Sequence, residues 1–176
     1  MKELKIILAT VFVGVTFLSF IDDRNNAEVG LDIGNEAPAI KTQTIDGANF
    51  DLGDFKGKMV ILNFWASYHA QSRMNNYQLT QINQQFNDVS FQNGEDLVII
   101  NISLDRFKSP MNLAIHQDEI VDFMHICDYS GKEGNIAQKY HINEPVNILL
   151  DGEGRILAKD TGLSKIEKSL NFLAAI

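Results

Sequence analysis

Lys58–Asn76 reads KMVILNFWASYHAQSRMNN. Its first eight residues are almost all apolar, the pattern of a strand covered on both faces. After them Met74, Tyr77, Leu79, Ile82 and Phe86 recur at helical spacing among polar neighbours, which predicts an amphipathic helix. A strand therefore runs straight into a helix, and a corner of this kind presents the free N–H groups and the positive dipole end of that helix. What the chain places there is His69-Ala70-Gln71-Ser72.

The alternation continues outward. Leu97–Leu104, LVIINISL, is a second buried strand, and strand-helix-strand implies a right-handed parallel crossover. Ser109-Pro110 predicts an N-cap and first turn for a helix over Met111–Glu119. There follow an expected strand at Phe123–Cys127, a short helix at Asn135–Tyr140 and a strand at Val146–Leu150. Arg155–Ala158 is its hairpin partner across Gly152-Glu153-Gly154, and Ser164–Leu173 is a closing helix. Upstream, AIKTQTI and ANFDL flank Asp46-Gly47, which predicts a hairpin or two short edge strands. The sum is an α/β fold, a central mixed sheet with helices on both faces and an N-terminal β extension. Phe55, Phe64 and Trp65 fit the core.

At 176 residues and 45% hydrophobic content the chain has room for one domain of ordinary size. A net charge of −8 with no cluster of Lys and Arg argues against a nucleic-acid surface. Lys2 and Lys5 precede an uncharged apolar run, Ile6–Ile21, and Asp22, Asp23 and Arg24 follow it. Residues 1–21 are thus expected to be a signal peptide or an N-terminal membrane anchor, with the domain exported and membrane contact only through this segment. Residues 22–35 are polar and aperiodic and read as a linker, and the globular domain is expected over 36–176.

Four stretches together resemble a known family: Gly34–Pro38 (G-x-x-A-P), Leu52–Lys58 (L-x-x-F-K-G-K), the strand end NFWAS, and a proline just before the last hairpin in EPVNILLDGEGRI. They are similar to the thioredoxin fold, in its exported TlpA/ResA-like thiol-disulfide oxidoreductase branch, over roughly Ile33 to the C-terminus. The resemblance sets Tyr68 at the family's tryptophan, His69 and Ser72 at its cysteine pair, and Gln71 at its common proline. It implies that Pro145 is a cis-proline whose neighbour Glu144 offers backbone to an extended peptide or protein partner. Asn63 stands where thioredoxin has a proton-carrying aspartate, and an amide cannot titrate.

The departure bears directly on function. Disulfide exchange needs an attacking thiolate and a second thiol to release the mixed disulfide, and positions 69 and 72 hold no sulfur. The expected function is a non-redox binding or accessory module, with Tyr68, His69, Gln71, Ser72, Glu144 and Pro145 as its binding residues and no cofactor. A divergent oxidoreductase, or a one-cysteine redox protein using Cys127, is the alternative. His69 and Ser72 share a helix face and are also a candidate base–nucleophile pair. Asp105 and Asp128 each follow a parallel strand and could reach the same sheet edge. A metal set from His69, His125, Cys127 and His141 matches no closed zinc spacing. His116 and His141 read as surface or loop residues.

Overall fold

A computed structural model describes residues 27–160 and 162–175, so the expected signal or anchor segment lies outside the described residues. In chain order the elements are β1 (Lys41–Gln43), β2 (Asn49–Asp51), β3 (Lys58–Trp65), α1 (Ala70–Gln85), β4 (Glu95–Ser103), α2 (Lys108–Gln117), β5 (Met124–Ile126), α3 (Asn135–Lys139), β6 (Val146–Leu150), β7 (Ile156–Lys159) and α4 (Leu163–Leu173). Five strands form one mixed sheet in the order β5-β4-β3-β6-β7. β3, β4 and β5 run parallel, and β6 and β7 are antiparallel additions. β3, buried along all but its first residue, lies at the centre, where both its faces are covered.

β1 and β2 pair as a separate antiparallel hairpin, with Thr42 opposite Phe50. Its turn needs a left-handed residue, supplied by Gly47 at φ +91°. Residues 28–36, most of them expected as linker, are held against the domain. The Gly34 N–H donates to Ile156 O at 2.8 Å, the Glu36 N–H donates to Glu28 O at 3.0 Å, and Leu31 packs on the core. α2 begins earlier than its sequence suggests: Phe107 occupies the N-cap position without a side-chain bond, and Ser109 lies inside the first turn. Pro110 is tolerated there because first-turn N–H groups have no intrahelical acceptor.

The Glu144–Pro145 bond is trans, and there is no cis peptide among the described residues. This corrects the expectation of a cis-proline, and with it the peptide groove at Glu144 and Pro145 loses its basis. The trans form is intrinsically preferred by about 0.5–1 kcal/mol for an X–Pro bond.

Strand alternation sends Val60, Leu62 and Phe64 to one face, where they pack with the hairpin residues Ile40 and Phe50 and with Ala137 and Tyr140. Met59 and Ile61 go to the other face, against Leu79 and Ile82 of α1 and Ile166 and Leu170 of α4. Trp65, one pleat further along this second face, packs with Met111, Ala114 and Ile115 of α2. Between the last two clusters runs a polar row. Asn147, Asn63, Asn101 and His125 stand side by side on β6, β3, β4 and β5, and all four are buried.

Tyr140 fastens the hairpin face. Its ring packs on Phe64 at 5.5 Å between centroids, and its hydroxyl donates to Pro38 O at 2.5 Å. Burial pushes its pKa upward, so it stays a donor at all ordinary pH. Tyr140→Phe keeps the packing and strands a carbonyl, so a loss of about 1–3 kcal/mol is expected in urea unfolding.

His125 donates from Nε2 to Ile120 O at 2.7 Å. Burial lowers its pKa below the ordinary value of about 6.5, an effect only partly offset by the bond to Ile120 O. The unfolded chain therefore takes up this proton more readily than the folded one. The contribution is complete above about pH 6.5 and is lost as the pH falls through the lowered folded value. Melting temperatures at pH 7.5 and pH 5 should fall on acidification, and the fall should be smaller in His125→Gln.

Candidate functional site

The corner is pinned from below before it is shaped from above. β3 ends at Trp65, and Ser67 donates both its N–H and its hydroxyl to the carboxylate of Asp105, at 2.9 and 2.5 Å. Asp105 also accepts from the Ser103 hydroxyl at 2.7 Å and is 2% exposed. A carboxylate just beyond β4 thus holds the loop just beyond β3, which fixes where α1 starts. Its oxygens are occupied in structure, not aimed at the imidazole.

His69 is the N-cap of α1. Its backbone is extended, at φ −100° and ψ 109°, and its Nδ1 accepts the Ser72 N–H at 3.2 Å. The Ser72 hydroxyl lies 3.1 Å from the same nitrogen. A ring nitrogen that accepts an N–H carries no proton of its own, so Nδ1 is the acceptor of the cap. The expected meeting of His69 and Ser72 is therefore real, but its geometry is that of a cap. Ser72 is 1% exposed, which leaves no approach for a substrate carbonyl to its oxygen. Base–nucleophile chemistry is not built here.

The other residues singled out by sequence divide around this point. Gln71 is exposed and donates to Asn75 Oδ1 at 3.0 Å. Tyr68 is 75% exposed beside the corner. Glu144 and Pro145 precede β6, across β3 from the strands that Asp105 and Cys127 follow. Asp128 accepts the N–H groups of Ser130 and Asn135, which closes its own loop. His125 is committed to Ile120 O, while His116 and His141 are exposed. Among the described residues no group of three or more His, Cys, Asp and Glu side chains is placed to hold a metal.

Cys127 lies half-buried just after β5. Its thiol donates to Asp105 O and accepts the Tyr129 N–H, both at 3.4 Å. Burial pushes its pKa up, which outweighs the Tyr129 N–H and Ser103 bonds that pull it down. The thiolate that exchange chemistry needs is disfavoured here.

Two features had no sequence signal of their own. Asn63 Nδ2 donates to Asn101 Oδ1 at 2.8 Å and to Asn76 Oδ1 at 3.2 Å, and Asn76 Nδ2 donates to Asp118 at 2.8 Å. Arg73 grips that carboxylate with two bonds of 2.5 Å. This chain joins residues more than forty positions apart, so only the fold reveals it. The second is a cleft of about 400 Å³ between the loops after β3 and β4, lined by Tyr68, Leu104, Asp105, Phe107, Pro110 and Gly131. Phe107 is 72% exposed, and an Arg106–Glu133 ion pair stands at the rim.

Comparison with known proteins bears on the fold and the family. A thiol-disulfide oxidoreductase structure from Bacteroides fragilis has 27% identity and a TM-score of 0.67, covering 79% of this chain and all of that one. The thioredoxin domain of a thiol-disulfide oxidoreductase from Bacteroides vulgatus has 27% identity and a TM-score of 0.69, covering 82% and 99%. The thioredoxin-like protein YneN of Bacillus subtilis is 32% identical over 87 residues, 49% of this chain and 51% of YneN. The thiol-disulfide oxidoreductase ResA of Bacillus thuringiensis is 22% identical over 98% of this chain and 94% of its own. The fold is thioredoxin-like, and residues 33–159 match the AhpC/TSA family, to which this chain belongs.

Proposed function

We propose that this domain is a non-redox binding module that acts outside the cytoplasm. One observation carries the reading: the two positions that resemble the sulfur pair are His69 and Ser72, and both are consumed in capping α1. Exchange needs a thiolate and a resolving thiol, and neither is present at the corner. The recess between Tyr68 and Phe107 supports a binding role for what remains. It opens at the carboxyl ends of the parallel strands, where open α/β sheets take ligands, and its exposed aromatic walls suit an apolar side chain of a peptide or protein partner. The exported location rests on the Lys2, Lys5, Ile6–Ile21, Asp22 pattern. The same segment, cleaved or retained, is the membrane contact. Among the described residues no helix is long and apolar enough to cross a membrane.

A one-cysteine redox role for Cys127 is the second reading. Its half-buried position and raised pKa disfavour it.

With dithiothreitol as electron source, the protein is expected to reduce insulin no faster than the reagent alone. Cys127 should react with a thiol reagent at neutral pH at least about tenfold more slowly in the native state than in denaturant. Insulin turnover that persists in Cys127→Ser would overturn the non-redox reading, and turnover that this variant abolishes would establish the one-cysteine alternative.

Restoring sulfur tests the correspondence itself. The side chains at 69 and 72 are in direct contact at 3.1 Å, so His69→Cys with Ser72→Cys should form an intramolecular disulfide at a helix N-terminus, where thiolate is favoured. The reduced double variant should lose about 0.5–2 kcal/mol for the missing cap. A folded double variant whose thiols resist oxidation to that disulfide would refute the correspondence.

A further inference from the structure

α1 carries the corner on its N-terminus, and its outer face is nearly free of charge. One of its sixteen residues is charged, Arg73, and that guanidinium is bound to Asp118. Over the whole chain 22% of residues are charged, with a net −8. The first 26 residues bear three charges of each sign, Lys2, Lys5 and Arg24 against Glu3, Asp22 and Asp23, so the folded domain keeps the full −8. At the middle of the outer face Met74 is 68% and Tyr77 is 65% exposed, flanked by Gln71, Gln78, Gln81 and Gln85. These residues line a groove of about 310 Å³ that reaches Ile82 and has Glu167 of α4 as its one acid.

We propose that this face binds a second copy of the same chain, two α1 helices meeting across a two-fold axis near Tyr77. Interface cores are depleted in charge and enriched in Tyr and Met, and this face has both properties over about 21 Å of helix. The polar groups it offers select the partner. Close to a two-fold axis each side chain meets its own copy or a near neighbour. A glutamate or lysine would there meet a like charge. A carboxamide carries both donors and an acceptor, so two copies bond each other reciprocally. The net charge points the same way, because two bodies of −8 approach most readily where neither presents charge. The proposal stands apart from the reading of the corner.

Residues 27–176 contain both sheets and all three cores, and a solved Bacteroides relative of this extent is matched along its whole length, so this domain is the unit to test. Sedimentation velocity over a concentration series should show a monomer–dimer equilibrium. Its dissociation constant should fall several-fold between about 20 and about 300 mM salt, since salt screens the mutual repulsion and there is no interfacial ion pair to weaken. Met74→Glu with Tyr77→Glu should raise the constant at least about tenfold, with an unchanged circular dichroism melt. In a Cys127→Ser background, Tyr77→Cys should oxidise to a disulfide-linked dimer, whereas Lys168→Cys, at an exposed position, should not; this arm stands even if the glutamate variant fails to fold. A domain that stays monomeric to about 1 mM, a dimer indifferent to both glutamates, a dimer that salt weakens, or failure of Tyr77→Cys to cross-link would each overturn the proposal.

Discussion

Asn63 Nδ2 bonds at once to β4 through Asn101 and to α1 through Asn76, and Asn76 continues to Asp118 at the end of α2, where Arg73 of α1 closes the chain. Apolar contact alone would leave a helix some freedom to roll or slide over a sheet, because Leu and Ile accept many neighbours of suitable volume. An amide pair accepts one register. The arrangement is not free of cost, since Asn101 Nδ2 and Asn147 Oδ1 are buried without a protein partner, at about 1–3 kcal/mol for each such group. Three things follow from the seating of α1: Ser72 faces inward, His69 meets the helix as its cap, and Met74 and Tyr77 face out.

The cap also explains why a histidine can stand where the resemblance sets a thiol. A helix N-terminus stabilises negative charge and hydrogen-bond acceptors alike. A thiolate uses the first property, and an unprotonated Nδ1 uses the second. Ser72 then satisfies the same nitrogen from the next turn, and with 1% exposure it needs a nearby partner. The local field that would lower a thiol's pKa is thus retained with no ionisable sulfur to act on.

Much of this was legible in the chain. The two apolar runs at Met59–Trp65 and Leu97–Leu104 settled the parallel pair, because a strand buried on both faces has few other readings. Val146–Leu150 appears as read, and Asp46-Gly47 sits in the hairpin turn. The start of α2 is ambiguous in sequence because Ser109-Pro110 suits the inside of a first turn as well as its edge. The hold on residues 28–36 was hidden because its bonds are backbone to backbone, and backbone groups leave no trace in side-chain pattern. At Pro145 the structure departs furthest from the sequence: proline marks a restricted turn, while its isomer depends on tertiary context. At the corner, sequence supplied the pairing of His69 with Ser72. It could not supply the sense of that pairing, which depends on burial and on the Ser72 N–H.

The missing sulfur could in principle be an isolated loss with the surrounding machinery intact. The layer beneath the corner argues otherwise. A working exchange site moves protons as well as electrons, and the resemblance sets a proton-carrying acid at the position of Asn63. That position is an amide whose laterally paired neighbours, Asn147 and Asn101, are amides too, and Asn76 above it is another. Two acids bonded to the corner and to α1 are engaged otherwise, Asp105 by Ser67 and Ser103 and Asp118 by Arg73 and Asn76. On the proposed reading, cysteines placed at 69 and 72 would stand above a layer of amides with no titratable side chain at position 63. The corner is held by the amide row beneath it and by Asp105 beside it, and this fixed arrangement supports the binding role proposed for it.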